Sequence, residues 1–309
     1  MLGRVLTIAL NTYREAVRAR ILLGLAGVAF CVSAFSLVIA SFTLNSAPRV
    51  VSDLGAASIS LFSVIVAVVI GATTLYRELE QKTIFPILAR PISRGEYVVG
   101  KYAGILLTIF TFIAADTGLV LMLCAALGKQ SPTLIIGVFL VIQLGWVLGV
   151  KWPGAWTFGP IPWAVVMLVA GVLLSGGVPD ERRVVLTQAL LSFLEVGIVA
   201  AIALLMSSFS TPFLSALLTV GLWIVGRSSD SLARFPKKFF GPAAADFFKA
   251  LGKVVPNLHV YVPPRPLLTG EAADVNRLDY MLLAALTAIG WAIGLLAVAS
   301  FVFKRRDFL

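Results

Sequence analysis

The stretch Arg90-Pro91-Ile92-Ser93-Arg94-Gly95-Glu96-Tyr97-Val98-Val99-Gly100-Lys101-Tyr102-Ala103-Gly104 carries, from Gly95 to Lys101, the spacing G-x-x-x-x-G-K of a phosphate-cradling loop. If it were such a loop, the chain would be an α/β nucleotide-binding protein. That chemistry needs a Ser or Thr hydroxyl after the lysine to reach Mg²⁺, and a buried strand ahead of the first glycine to fix the turn. Tyr102 occupies the hydroxyl position, and Arg90-Pro91-Ile92-Ser93-Arg94 cannot end a buried strand. No later apolar run closes on the paired acids of a magnesium-holding strand. The glycines and the lysine therefore belong to a chain of another kind.

Composition says which kind. Of 309 residues, 59% are hydrophobic and 13% charged, and the mean hydropathy is +0.98. This is too apolar for ordinary soluble usage and reads as an all-α polytopic membrane protein. Cys31 and Cys124 both fall inside apolar runs, as small hydrophobes rather than a disulfide or metal pair. His259 is the single histidine, which leaves no His-Cys cluster for zinc and no Ser-His pair within a span. The net charge of +10 does not point to nucleic acid, because the basic residues sit at the ends of apolar runs, where they orient spans against anionic lipid.

Runs of about twenty apolar residues can cross the hydrocarbon core as helices. They occur at Ile21 to Leu44, Leu54 to Leu75, Gly104 to Leu127, Leu134 to Val150, Ile161 to Gly177, Leu186 to Ser207, Pro212 to Val225 and Tyr280 to Phe303. Leu134 to Val150 contains Gln143 and several glycines, and Pro212 to Val225 is short. The fourth and fifth runs can instead make one re-entrant pair around Lys151-Trp152-Pro153-Gly154, so the count is six or eight. Either number puts both chain ends on one side. The basic N-terminal arm, the segment Tyr76 to Ala103 and the tail Lys304-Arg305-Arg306 share that side, which the distribution of Lys and Arg marks as cytoplasmic. Gly226 to Asp279 is then an extracytoplasmic loop, and its stretch RFPKKFFGPAAADFFKALGKVV interleaves phenylalanine with lysine in the manner of an interfacial segment.

Tyr76 to Ala103 is too charged to span. Its spacing predicts a short helix from Glu78 to about Leu88, a break at Arg90-Pro91, and a second helix from Ser93 that runs on into the third span. Ser93 with Glu96 makes the S-x-x-E capping box. Gly100 and Gly104, four apart, suit close helix packing rather than a phosphate.

Glu78-Leu79-Glu80 with Thr83, then Leu88-Ala89-Arg90-Pro91-Ile92-Ser93-Arg94, then Gly100-Lys101-Tyr102 resembles the cytoplasmic signature of type-2 ATP-binding-cassette transporter permeases. Arg14-Glu15-Ala16-Val17-Arg18, Ser207-Ser208-Phe209-Ser210-Thr211-Pro212-Phe213, Val255-Pro256-Asn257-Leu258 and Phe303-Lys304-Arg305-Arg306-Asp307 are similar to the same family, in order along one chain. The likeness is greatest to the branch that includes the nitrous-oxide-reductase maturation permease. Gln130 to Pro179 departs from it, with two apolar pieces where a direct passage is expected.

The resemblance implies a bundle of six core transmembrane helices, or eight, in a bacterial inner membrane with cytoplasmic termini. Residues 1–20 would be an interfacial amphipathic helix and 21–309 the permease domain. The chain would have no cofactor of its own. ATP and Mg would be bound by two copies of a separate ATPase subunit, and a second permease copy would complete a homodimer. Residues 76–103 would hold the coupling helix that docks on the ATPase, through Glu78, Glu80, Lys82, Thr83, Arg90, Pro91, Arg94, Glu96 and Lys101.

Asp116 and Glu195 lie inside spans, each about twelve residues from the cytoplasmic end and so roughly 18 Å deep. A charge facing lipid there costs on the order of 3 kcal/mol, so both should face the bundle or a wet cavity. They are either ion-carrying groups, as in an ion-coupled secondary transporter, or structural ones hydrogen-bonded to neighbouring Ser and Thr. No clustered acid and nucleophile set suggests a membrane enzyme.

Overall fold

The computed structural model describes residues 2–19, 21–43, 46–80, 93–128, 130–149, 151, 154–234, 250, 252, 254–271 and 276–305. Among these residues there is no strand. Nine helices of 15 residues or more among the described residues carry the fold: α1 (Leu2–Arg18), α2 (Ile21–Ser41), α3 (Ala47–Glu80), α4 (Arg94–Leu127), α5 (Pro132–Gly149), α6 (Pro160–Leu174), α7 (Pro179–Ser207), α8 (Pro212–Arg227) and α9 (Arg277–Arg305). Seven of them, α2 to α7 and α9, are long and apolar enough to cross a membrane, α6 together with the 3-10 turn Ser175–Gly177 that continues it, and α8 is a shorter apolar helix.

Lipid tails are as apolar as leucine, so such helices associate through close backbone approach at small residues. The core obeys this. In α4, 83% of the apolar window is buried, against 72% in α7, 61% in α3 and 17% in α2, so α4 is the axis of the bundle. It meets α3 where a Cβ on Gly55 would stand 2.4 Å from Val120, and α3 meets α7 where one on Gly71 would stand 2.5 Å from Ala203.

The departure at Gln130 to Pro179 resolves into two separate helices, α5 and α6. The second is built into the core: a Cβ on Gly118 of α4 would lie 2.4 Å from the Met167 carbonyl group, and one on Gly171 of α6 would lie 2.6 Å from the Gly118 oxygen. Helix α5 is peripheral, with Ile135 its buried residue. Counting α8, eight apolar helices stand where six or eight were expected.

Helix α4 begins as its sequence predicts. The Ser93 hydroxyl accepts from the Glu96 amide at 3.2 Å, and the Glu96 carboxylate accepts from the Ser93 amide at 2.9 Å. Two orphan donors are thus satisfied and the helix runs unbroken into its span. Upstream, α3 continues without interruption through Glu78 to Glu80, so the separate short helix expected from Glu78 starts as part of the span. Lys82, Thr83, Arg90 and Pro91 lie outside the described residues.

Of the residues expected on a docking surface, Lys101 turns inward. Lys101 is 1% exposed, with Nζ 3.4 Å from the Glu15 carboxylate of α1 and 5.7 Å from the Tyr97 ring centre. It lies in the α1 to α4 seam, where a Cβ on Gly100 would meet Ile8 at 2.7 Å and one on Gly104 the Ala9 oxygen at 2.5 Å. Arg94 donates from Nη1 to the carbonyl oxygens of Phe303, at 3.0 Å, and Lys304, at 2.8 Å. A guanidinium at the last carbonyls of α9 satisfies acceptors that the helix itself leaves open. Glu96 is engaged in its cap. With Tyr97 stacked on Phe303 at 6.0 Å, α1 and the end of α9 both clasp the first turns of α4, so both chain ends lie at one end of the bundle. Arg94→Ala should release that clasp, costing about 1–2 kcal/mol locally. Hydrogen exchange read at residues 300–305 should then quicken; exchange unchanged from the parent would refute the contact.

Candidate functional site

Glu195, in the middle of α7, is 0% exposed and carries a full set of partners. Arg227 donates to it twice, from Nε to Oε1 and from Nη2 to Oε2, each at 2.9 Å. Trp223 Nε1 donates to Oε1 at 2.9 Å, and Arg227 Nη2 also reaches the Ser60 hydroxyl of α3 at 2.7 Å. This is a bidentate, charge-assisted pair, the geometry in which an intramembrane acid is best tolerated.

The sequence pointed to Glu195 and missed Arg227. The seventh apolar run was taken to end at Val225, with a loop beginning at Gly226, whereas α8 includes both Gly226 and Arg227. At 16 residues α8 is about 24 Å long, short of the roughly 30 Å hydrocarbon core. Its C-terminal arginine ends beside Glu195, in the middle of α7, and a cation there also complements the helix dipole. The short length of the run was the available signal.

The expected extracytoplasmic loop is correspondingly not all outside the bundle. The Leu258 amide donates to the Gly226 oxygen at 3.0 Å, so the returning chain closes the end of α8. Leu258 is fully buried and Tyr261 nearly so. The Gln188 amide of α7 donates to the Tyr261 oxygen at 3.0 Å, and the Tyr261 hydroxyl donates to Ala284 of α9 at 3.0 Å. Beyond it the short helix Arg265–Thr269 places Arg265 against Asp53, with Ser52 at 3.2 Å and Glu181 at 3.7 Å. Most of the phenylalanine-rich stretch lies outside the described residues.

These elements line an open cavity of about 390 Å³ between α3, α7, α8 and the returning segment. Arg227 and Trp223 line one part of it, and Arg49, Asp53 and Arg265 another. Its residues come from the ends of α3 and α7 opposite to the chain termini.

Asp116 of α4 is also 0% exposed, and no cation among the described residues pairs with it. The Ser33 hydroxyl of α2 donates to its Oδ1 at 3.0 Å and sits 3.5 Å from the Ser58 hydroxyl of α3. Its Oδ2 has no hydrogen-bond partner among the described residues. Both acids thus face the bundle, as expected, but in different chemistry: Glu195 is neutralised by a fixed charge, Asp116 leans on a hydroxyl. Ser58 and Ser60 tie α3 to both.

Among the described residues, no three of His, Cys, Asp and Glu gather where they could hold a metal ion. Neither Cys31 nor Cys124 is in a disulfide.

Helices of this length and polarity, packed through glycine and enclosing buried, paired charge, define an all-α polytopic membrane protein. Comparison of the chain with protein-family models and with curated proteins finds no match.

Proposed function

We propose that this chain is the membrane-spanning permease subunit of a type-2 ATP-binding-cassette transporter, moving a substrate across a bacterial inner membrane with ATP hydrolysed by a separate subunit. The observation that supports it most is where the longest helices end. α3 and α4 are each 34 residues, about 50 Å of helix for a core of roughly 30 Å. α3 continues past Leu75 to Glu80 and α4 begins ahead of Gly104 at Arg94, at the end of the bundle that holds both chain termini.

The two helices flank residues 81–92, with Lys82 and Arg90, the middle of the segment 76–103 that the family resemblance assigns to ATPase docking. A push on that segment would be delivered along two rigid, buried helices. One of them, α3, carries Ser60 of the Glu195 site and Asp53 at its far end, so docking and site would be biased together as one two-state element. Glu78, Glu80, Lys82, Thr83, Arg90 and Pro91 remain the docking residues in this proposal. Two permease copies and two ATPase subunits complete the assembly, with the termini in the cytoplasm.

The test is purification of the full chain from its own membranes in mild detergent. An ATPase subunit should accompany it, and the pair Lys82→Glu, Arg90→Glu should cut its recovery at least about tenfold through like-charge or unpaired contacts. An ATP analogue should not label the purified chain alone. Specific labelling of the chain alone, or full ATPase recovery with the double variant, sinks the proposal.

One observation favours a second reading. Asp116, with a buried oxygen that has no partner among the described residues, suits a proton-carrying group of an ion-coupled transporter. In proteoliposomes without any ATPase, that reading requires uptake driven by a pH gradient and abolished by Asp116→Asn.

A further inference from the structure

The cavity of about 390 Å³ presents unequal charge to its interior. Three guanidiniums line it, those of Arg49, Arg227 and Arg265, against the one carboxylate of Asp53. Asp53 pairs with Arg265 and, at 4.0 Å, with Arg49 within the lining, while the acid that holds Arg227 stands behind the wall. Glu195 is 0% exposed with both oxygens occupied by Arg227 and Trp223. Glu181 braces Arg265 from 3.7 Å. What faces the cavity is therefore a set of donors whose counter-charges are already in place.

Arg227 is the best organised of them. Its Nε and Nη2 are fixed by Glu195 and Ser60, while Nη1 makes no hydrogen bond among the described residues. With 25% of its side chain accessible, the guanidinium is held in one orientation and shows an unused edge to the cavity. The N–H bonds of Nη1 are a charged donor already held in place, and an anionic oxygen is the acceptor that gains most from such a donor. The remaining wall, including Ala56, Leu61, Val184 and Leu268, is apolar, and the volume is that of small-molecule sites.

We propose that this cavity binds an organic oxyanion, a carboxylate or phosphate group carried on a compact apolar body. The anion meets Arg227, with Arg265 beside it and the more exposed Arg49 at the mouth. A cation meets the guanidiniums and is repelled. A neutral apolar molecule of the same shape leaves the Arg227 edge unpaired, which costs it affinity.

The experiment uses the full chain in phosphatidylcholine nanodiscs. The probe is a trifluoromethyl-diazirinyl benzoate, with the corresponding benzylammonium and benzyl alcohol as controls, and photolabelled peptides are mapped by mass spectrometry. Benzoate should label peptides spanning residues 56–61, 184–188 or 262–268 at least about tenfold more than the ammonium, the factor expected of one charged hydrogen-bonded contact. Excess phenyl phosphate should block it.

The pair Glu195→Gln, Arg227→Gln removes the donor charge without stranding a buried ion, and should lower labelling about tenfold. Arg49→Gln, at a position 62% exposed, should lower it severalfold, and decides the matter alone if the double variant does not fold. Equal labelling by ammonium and benzoate, or labelling undiminished in the folded variants, overturns the proposal. Phosphatidylglycerol added to the nanodisc separates the sources of the anion: suppression of the benzoate label identifies a lipid phosphate, and persistence identifies a soluble organic anion. Neither nucleotide nor ATPase is present, so failure here leaves the ATP-driven reading untouched, and failure to recover an ATPase leaves this one untouched.

Discussion

Arg227→Ala is expected to destabilise the bundle by about 3–5 kcal/mol, because it strands the Glu195 carboxylate, which has no other cation among the described residues. Both oxygens of Glu195 face Arg227 at 2.9 Å, so water or a side-chain shift cannot readily replace the guanidinium. Glu195→Gln should be damaging by the same logic with the sign reversed, leaving a cation unpaired. Combining Glu195→Gln with Arg227→Gln should recover much of the loss, since neutral amides of similar volume need no counter-charge.

Asp116→Asn supplies the contrast. It removes no ion pair, and the amide oxygen can keep the hydroxyl contact from Ser33, so its effect should stay within about 1 kcal/mol. Reversible denaturation of the detergent-solubilised chain measures all four. If Arg227→Ala and Glu195→Gln cost no more than Asp116→Asn, the buried pair is not holding the bundle.

Gly118→Val should be the most damaging small-to-large change in the core. Even a first carbon at Gly118 would lie 2.4 Å from the Met167 carbonyl group, and the obstacle is backbone, which cannot rotate away. α4 and α6 would have to part, at a cost of about 3 kcal/mol. Gly137→Val on α5, where nothing lies within 4 Å of the added carbon, is the matched control and should cost less than about 0.5 kcal/mol. The ratio of folded yield and thermal midpoint between the two variants reads this directly. Equal behaviour would mean that α6 does not pack on α4 as described.

Much of the architecture is legible in single residues because it depends on local properties. Hydropathy over about twenty residues decides which segments leave water, and all eight apolar runs became helices. Ser93 with Glu96 marks the start of α4 because a cap is made within one turn of chain. The G-x-x-x-x-G-K spacing loses its nucleotide meaning from its neighbours alone, and Gly100 and Gly104 prove to be a packing surface. That Asp116 and Glu195 face inward also follows from the sequence, since lipid offers a charge no partner.

What the tertiary structure alone decided is who meets whom. Glu195 and Arg227 are joined across two helices, Lys101 and Glu15 across two more, and Arg94 reaches the carbonyls of Phe303 and Lys304. No local pattern encodes such pairs, because a charge in a run of residues states a need without naming its partner. Lys101 carries the composition of a solvated docking face and is instead spent inside the molecule, while Arg94, half-buried, is tied to the end of α9. The same holds for Val255 to Tyr261, whose sequence reads as loop. It enters the bundle at the end of α8, where the Leu258 amide gives the Gly226 carbonyl, left open by the helix, a donor within the protein.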